Sequence, residues 1–148
     1  MQQAPTSTAR TLGALGLMPF AAGAFGVWFG DTPAVRQFAA EALATYAAVI
    51  VSFLGGIHWG LGMRAHDGAR FEWAVVPSLL AWPALLLPQA FVLPALAAAL
   101  VICLIADRRL YPAAGMQGWM GLRWLLTTVA VLACAAGAAG VAGAAGAR

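Results

Sequence analysis

The chain has 148 residues, of which 63% are hydrophobic and 9% charged, with a formal net charge of +3 and a mean hydropathy of +0.86. A soluble domain covers its surface with roughly 25% charged residues, so a water-solvated globule is excluded and lipid is the expected surround. All eight basic residues are arginines, placed singly or as one pair with no basic stripe among aromatics, which argues against a nucleic-acid interface.

A helix rises about 1.5 Å per residue, so crossing a ~30 Å hydrocarbon core takes about 20 apolar residues. The first such run is 12–29, preceded by a short tail at 1–11 that is expected in the cytoplasm. Arg10 and "AGA" at 22–24 could mark a cleaved signal peptide. However, apolar sequence continues through "FGVWFG", and Pro19-Phe20 interrupts the stretch, so the span is expected to be retained. The second run is 40–63. Residues 73–106 are all uncharged, and one helix of that length would measure about 51 Å, too long for a single crossing. The break falls at "LLLPQAF", where Pro88 interrupts a helix and Gln89 can meet headgroups. Two short helices, 73–88 and 90–106, result, either crossing twice or forming a re-entrant hairpin; a single kinked crossing would reverse the last helix. That last run is 120–143, ending in the low-complexity "CAAGAAGVAGAAGAR", whose outer end is expected to fray. The reading is all-α: a polytopic transmembrane bundle of five helices in one integral domain spanning 1–148.

With five crossings, Arg10, Arg64, Arg70, Arg108, Arg109 and Arg123 share one side, and Arg36 and Arg148 the other. By the positive-inside rule, the N-terminus is cytoplasmic and the C-terminus periplasmic in a bacterial inner membrane. Trp73, Trp119 and Trp124 then lie at inner ends and Trp28 at an outer end, where indoles prefer the interface.

Every fourth residue of the second helix is small: Ala44, Ala48, Ser52, Gly56 and Gly60. Such a stripe lets backbones approach in lipid, and packing within the bundle is its first expected use, ahead of a dimer interface. His58 points about 160° away from it, on the side of Val51, Leu54, Gly55 and Gly62. Two readings compete. In one, His58 is a proton carrier or ligand on a polar path, with Asp107 and Arg123 as neighbouring candidates. In the other, it hydrogen-bonds a carbonyl or hydroxyl of an adjacent helix; this reading is preferred because no second ionisable group lies deep in any span. Asp107 can instead pair with Arg123 across the fourth loop, bracing the last two helices. His66 lies about 12 Å along the chain from His58 and cannot join it on one face.

Cys103 and Cys134 sit in apolar runs without a CxxC, so packing thiols are expected rather than a disulfide or metal site. The chain carries no G-x-S-x-G, H-E-x-x-H or phosphate loop. No catalytic residue, metal or cofactor is therefore assigned, and an enzyme reading would rest on His58 alone.

"YAAVIVSFLGGIHWGLGM" at 46–63 resembles the signature of a family of small bacterial membrane proteins of unknown function, which also includes a mitochondrial transmembrane relative. Its S-F-L-G-G-x-x-W-G core brings in Phe53, Gly55 and Trp59, with Tyr46 at the head of the stretch. Pro19-Phe20, "VPSLLAW" at 76–82, Asp107 and "LRWLLT" at 122–127 extend the likeness. Gly118-Trp119 departs from it, since a proline is expected before that tryptophan. The resemblance implies a multi-helix inner-membrane protein and brings no activity, cofactor or catalytic residue.

The leading functional expectation is a non-enzymatic packing or assembly component, whose partners are the bilayer and another membrane protein or a second copy. The alternative is a small permease or channel with His58 on its path.

Overall fold

The structure, a computed structural model, describes residues 4–65 and 68–146; His66 and Arg148 lie outside the described residues. Among the described residues every regular element is helical. The first helix begins at Ser7, five residues before the expected 12. Thr6 caps it by accepting from the Ala9 N–H at 3.2 Å. It breaks at Gly16-Leu17 into α1, Ser7–Leu15, and α2, Met18–Phe29. Pro19 accounts for the break: it offers no N–H, and its ring clashes with the carbonyl four residues back. The Tyr46 hydroxyl donates to the carbonyl of Gly16 at 2.9 Å, and the Phe20 ring packs edge-on against Tyr46.

The next helix, α3, runs Pro33–Ala65, starting seven residues before the expected 40. Thr32 accepts from the Val35 N–H, and Pro33 suits a first helical turn, where its missing donor costs nothing. Arg36 donates through Nε to the Gly30 carbonyl at 2.7 Å, closing the end of α2. Then come α4, Gly68–Ala84, and α5, Gln89–Leu110. Short 3-10 turns at Pro112–Ala114 and Gln117–Trp119 lead into α6, Met120–Gly146. Gly115 between them has φ +70°, a left-handed conformation that glycine adopts without steric cost.

Four segments are long and apolar enough to cross a membrane: Ser7–Phe29, Pro33–Ala65, Gln89–Leu110 and Gln117–Ala144. The shorter α4 is laid tightly along α3. A Cβ on Gly55 would run into the carbonyl oxygen of Ala74, so only glycine permits this approach. The turn after α4 reaches the far end of α3, where Leu85, Leu87 and Gln89 share a wall with Ala40, Glu41 and Thr45. From there α5 returns to bring Asp107 beside His58. The uncharged stretch 73–106 is therefore an antiparallel helix pair running the length of the bundle.

The core is built by Leu43, Ala47, Val51 and Leu54 of α3, Leu93, Leu96, Leu100 and Cys103 of α5, and Phe20, Ala130 and Cys134. Both cysteines are free and buried. Large apolar side chains such as Phe25, Phe38, Trp82, Phe91 and Leu132 point outward, as a lipid-facing surface requires. Trp28 Nε1 donates to the Ala136 carbonyl at 2.9 Å, tying α2 to the last helix.

The small-residue stripe divides. Ala44 and Ala48 are buried, but Gly56 and Gly60 are exposed, and a Cβ on either would meet nothing within 4 Å. The expectation of packing inside the bundle fails at those two positions. The inward face is that of Val51, Leu54, Gly55, His58 and Gly62, about 160° away.

Candidate functional site

Three helices converge on one buried cluster of charge. His58 of α3, Asp107 of α5 and Arg123 of α6 are 1%, 2% and 7% exposed. His58 Nε2 lies 2.7 Å from Asp107 Oδ1, and Arg123 Nε donates to Asp107 Oδ2 at 2.6 Å. The structure thus brings together His58, Asp107 and Arg123, and gives His58 a carboxylate partner where a carbonyl or hydroxyl was expected. The premise that no second ionisable group lies deep is overturned. Asp107 lies one residue past the expected helix end at 106, but α5 continues to Leu110 and turns Asp107 inward below Leu100, Cys103 and Leu104.

The hydrogen bonds define the charge arrangement. A carboxylate can only accept, so the imidazole carries its proton on Nε2, while its Nδ1 has no partner. The guanidinium and carboxylate cancel, leaving a neutral cluster of the kind hydrocarbon tolerates.

Aromatic rings wall it in. Tyr111, fully buried, has its ring centroid 5.8 Å from that of His58, and Trp73 stands edge-on at 6.4 Å. Burial, reinforced by Asp107 and opposed by Arg123, pushes the Tyr111 phenol up to about 12.

A cavity of about 480 Å³ adjoins the cluster, between α1 and the body of the bundle. Its walls are mostly aliphatic, with Arg123, Thr127, Tyr111 and Trp119 among the lining residues. Three buried polar atoms on those residues lack a partner: Arg123 Nη2, Thr127 Oγ1 and Trp119 Nε1. Sequence reading missed Tyr111 and Thr127. The signal was available, since Asp107–Tyr111 and Arg123–Thr127 are both four apart and share helix faces.

The remaining candidates lie elsewhere. Tyr46 bridges to the break after α1, Gly55 sits beneath α4, Phe53 is exposed at the cavity rim, and Trp59 packs edge-on against Phe71. Among the described residues, no group of three His, Cys, Asp or Glu side chains is placed to hold a metal ion.

Apolar helices of membrane-crossing length, joined through a neutral ionic cluster sealed inside them, define a polytopic α-helical membrane protein. Over residues 5–139 the chain matches the family described as "Protein of unknown function (DUF3429)", and it belongs to that family. It is also similar to Transmembrane protein 69 of Xenopus tropicalis, with 36% identity over 130 residues, covering 81% of this chain and 49% of that protein. The chain therefore spans about half the length of that curated relative. No solved structure matches it.

Proposed function

We propose that this protein is a non-enzymatic component of a bacterial inner membrane that packs against and steadies another membrane-embedded chain. The observation that carries this reading is the outward ridge of α3, where Gly56 and Gly60 stand uncovered. Exposed Phe53, Trp59 and Met63 flank it on the same side of the helix. Lipid removes the hydrophobic drive between helices, and close backbone approach over small residues replaces it. The ionic cluster on the opposite side anchors α3 to α5 and α6, so the ridge is presented by a helix of fixed rotation. Arg64, Arg70, Arg108 and Arg109 fall at one end of the bundle, and we assign that end to the cytoplasm. The N-terminus is then cytoplasmic and the C-terminus periplasmic.

The test is crosslinking in native membranes from a photoreactive residue introduced at Gly60. A discrete adduct, to another protein or a second copy, is expected, and Gly56→Leu should abolish it without altering the melting temperature. Failure to capture any adduct overturns the reading.

The His58–Asp107 contact favours a second reading, a small permease with His58 on its path. Solute or proton flux in proteoliposomes, lost in His58→Ala, supports it, and no flux across a broad solute panel dismisses it.

A further inference from the structure

The cavity between α1 and the bundle has a built polar end. Its walls are Leu12, Leu17, Phe20, Phe53, Leu54 and other aliphatic side chains, and its volume of about 480 Å³ suits a small lipid or the head and first carbons of a larger one. One wall is α1, in which no residue is buried and which is joined to α2 through the Gly16-Leu17 break. That side is covered by a half-helix and not by the packed core.

At the other side lie Arg123 and Thr127, both more than nine-tenths buried, and the half-buried Trp119. Each leaves a buried polar atom without a partner. An unsatisfied polar group is costly in hydrocarbon, and a helical threonine ordinarily avoids that by bonding the carbonyl four residues back. Here it does not. Three such atoms on one cavity wall are accounted for by a ligand oxygen that accepts from them.

The charge balance selects the kind of oxygen. Arg123 is already neutralised by Asp107, and the His58 proton sits on the nitrogen facing that same carboxylate. An anionic head would leave one uncompensated negative charge inside the membrane. A neutral acceptor adds no charge.

We propose that this cavity binds a neutral, membrane-dissolved molecule through a carbonyl oxygen held by Thr127 and Arg123, with its apolar part lying along α1 and α3. The orphaned atoms are covered by neighbouring side chains, so the oxygen reaches them by displacing one. Met116 on the same wall, with its flexible thioether, is the side chain best able to yield. The shared chemistry, a carbonyl on an apolar body, occurs in ester lipids and in quinones.

The experiment measures equilibrium binding of tritiated decylubiquinone and tritiated dioleoylglycerol to the full chain in detergent, with hexadecane and oleate as competitors. Saturable binding of at least one carbonyl probe is expected, with weak competition from both competitors. Binding of the quinone alone, the acylglycerol alone or both supports the proposal and identifies the source. Thr127→Val should weaken binding about 3- to 10-fold, the worth of one hydrogen bond. The same substitution should leave the melting temperature of the ligand-free protein unchanged or raised, because the hydroxyl it removes has no partner. Leu126→Trp, which fills the cavity opposite Gly13, should abolish binding with an unchanged elution profile; should that variant misfold, Thr127→Val still decides. No saturable binding of either probe overturns the proposal. So does hexadecane competing as well as the carbonyl probes, oleate competing best, or Thr127→Val binding like the parent protein.

Discussion

Asp107 Oδ2 stands 2.6 Å from Arg123 Nε, so one ion pair bolts together two successive helices, α5 and α6, at a point both have buried. Removing one member strands the other charge in a medium that cannot solvate it. Asp107→Leu and Arg123→Leu should each destabilise the protein by about 3–5 kcal/mol. The double substitution removes both charges and should recover at least half of either loss. Denaturant unfolding in detergent measures this, and a double variant as unstable as the sum of the singles would contradict it.

Two adjacent glycines should behave oppositely. At Gly55 a methyl group meets the Ala74 carbonyl, whereas at Gly56 it meets nothing. Gly55→Ala should cost about 1–3 kcal/mol through overpacking. Gly56→Ala should be neutral, or stabilising by up to about 1 kcal/mol through helix propensity. Thermal melts of the two variants give the comparison directly, and equal melting temperatures would refute the assignment of faces.

Alkali should loosen the cluster through Tyr111. Its phenol is raised from 10.0 to about 12, so the folded state holds the proton more tightly than the unfolded chain does. The associated stability is whole below about pH 10 and is lost as pH rises through about 12. A stability-versus-pH curve should decline across that window, and Tyr111→Phe should remove this part of the decline. A parent and variant with superimposable curves would contradict it.

The α5–α6 connection depends on Gly115, which holds φ +70° without strain. Gly115→Ala should lower stability by about 1–2 kcal/mol, and Gly115→Asn by less, since asparagine tolerates that region. Melting temperatures ranked parent, Asn, Ala are the expected order.

The five-helix plan was readable because apolar length and confined charge are properties of the chain itself. Helix ends were not. Arg36 and Glu41 exclude the hydrocarbon but not a helix, and α3 starts at Pro33 with both on board. The 160° between Gly56 and His58 followed from counting 100° per residue, but which of the two sides faces inward did not. The depth of Asp107 was missed because it lies just past the uncharged stretch 73–106, although the spacing of Leu93, Leu96, Leu100 and Cys103 already points its side chain inward. Thr127 gave no signal beyond its spacing from Arg123, since a lone threonine in a lipid-embedded helix reads equally well as bonded to its own backbone. The cavity was illegible for a different reason: its walls come from α1, α3 and α6, segments far apart in the chain.

The reach of Trp28 across to Ala136 bears on the alanine-rich end that looked free to fray. Thirteen residues separate that carbonyl from Arg123, roughly 20 Å of helix. A rod clasped at two heights resists torsion about its own length, however small its side chains. Azimuth along this segment is thus dictated from outside it, by an indole and a carboxylate borrowed from earlier parts of the chain.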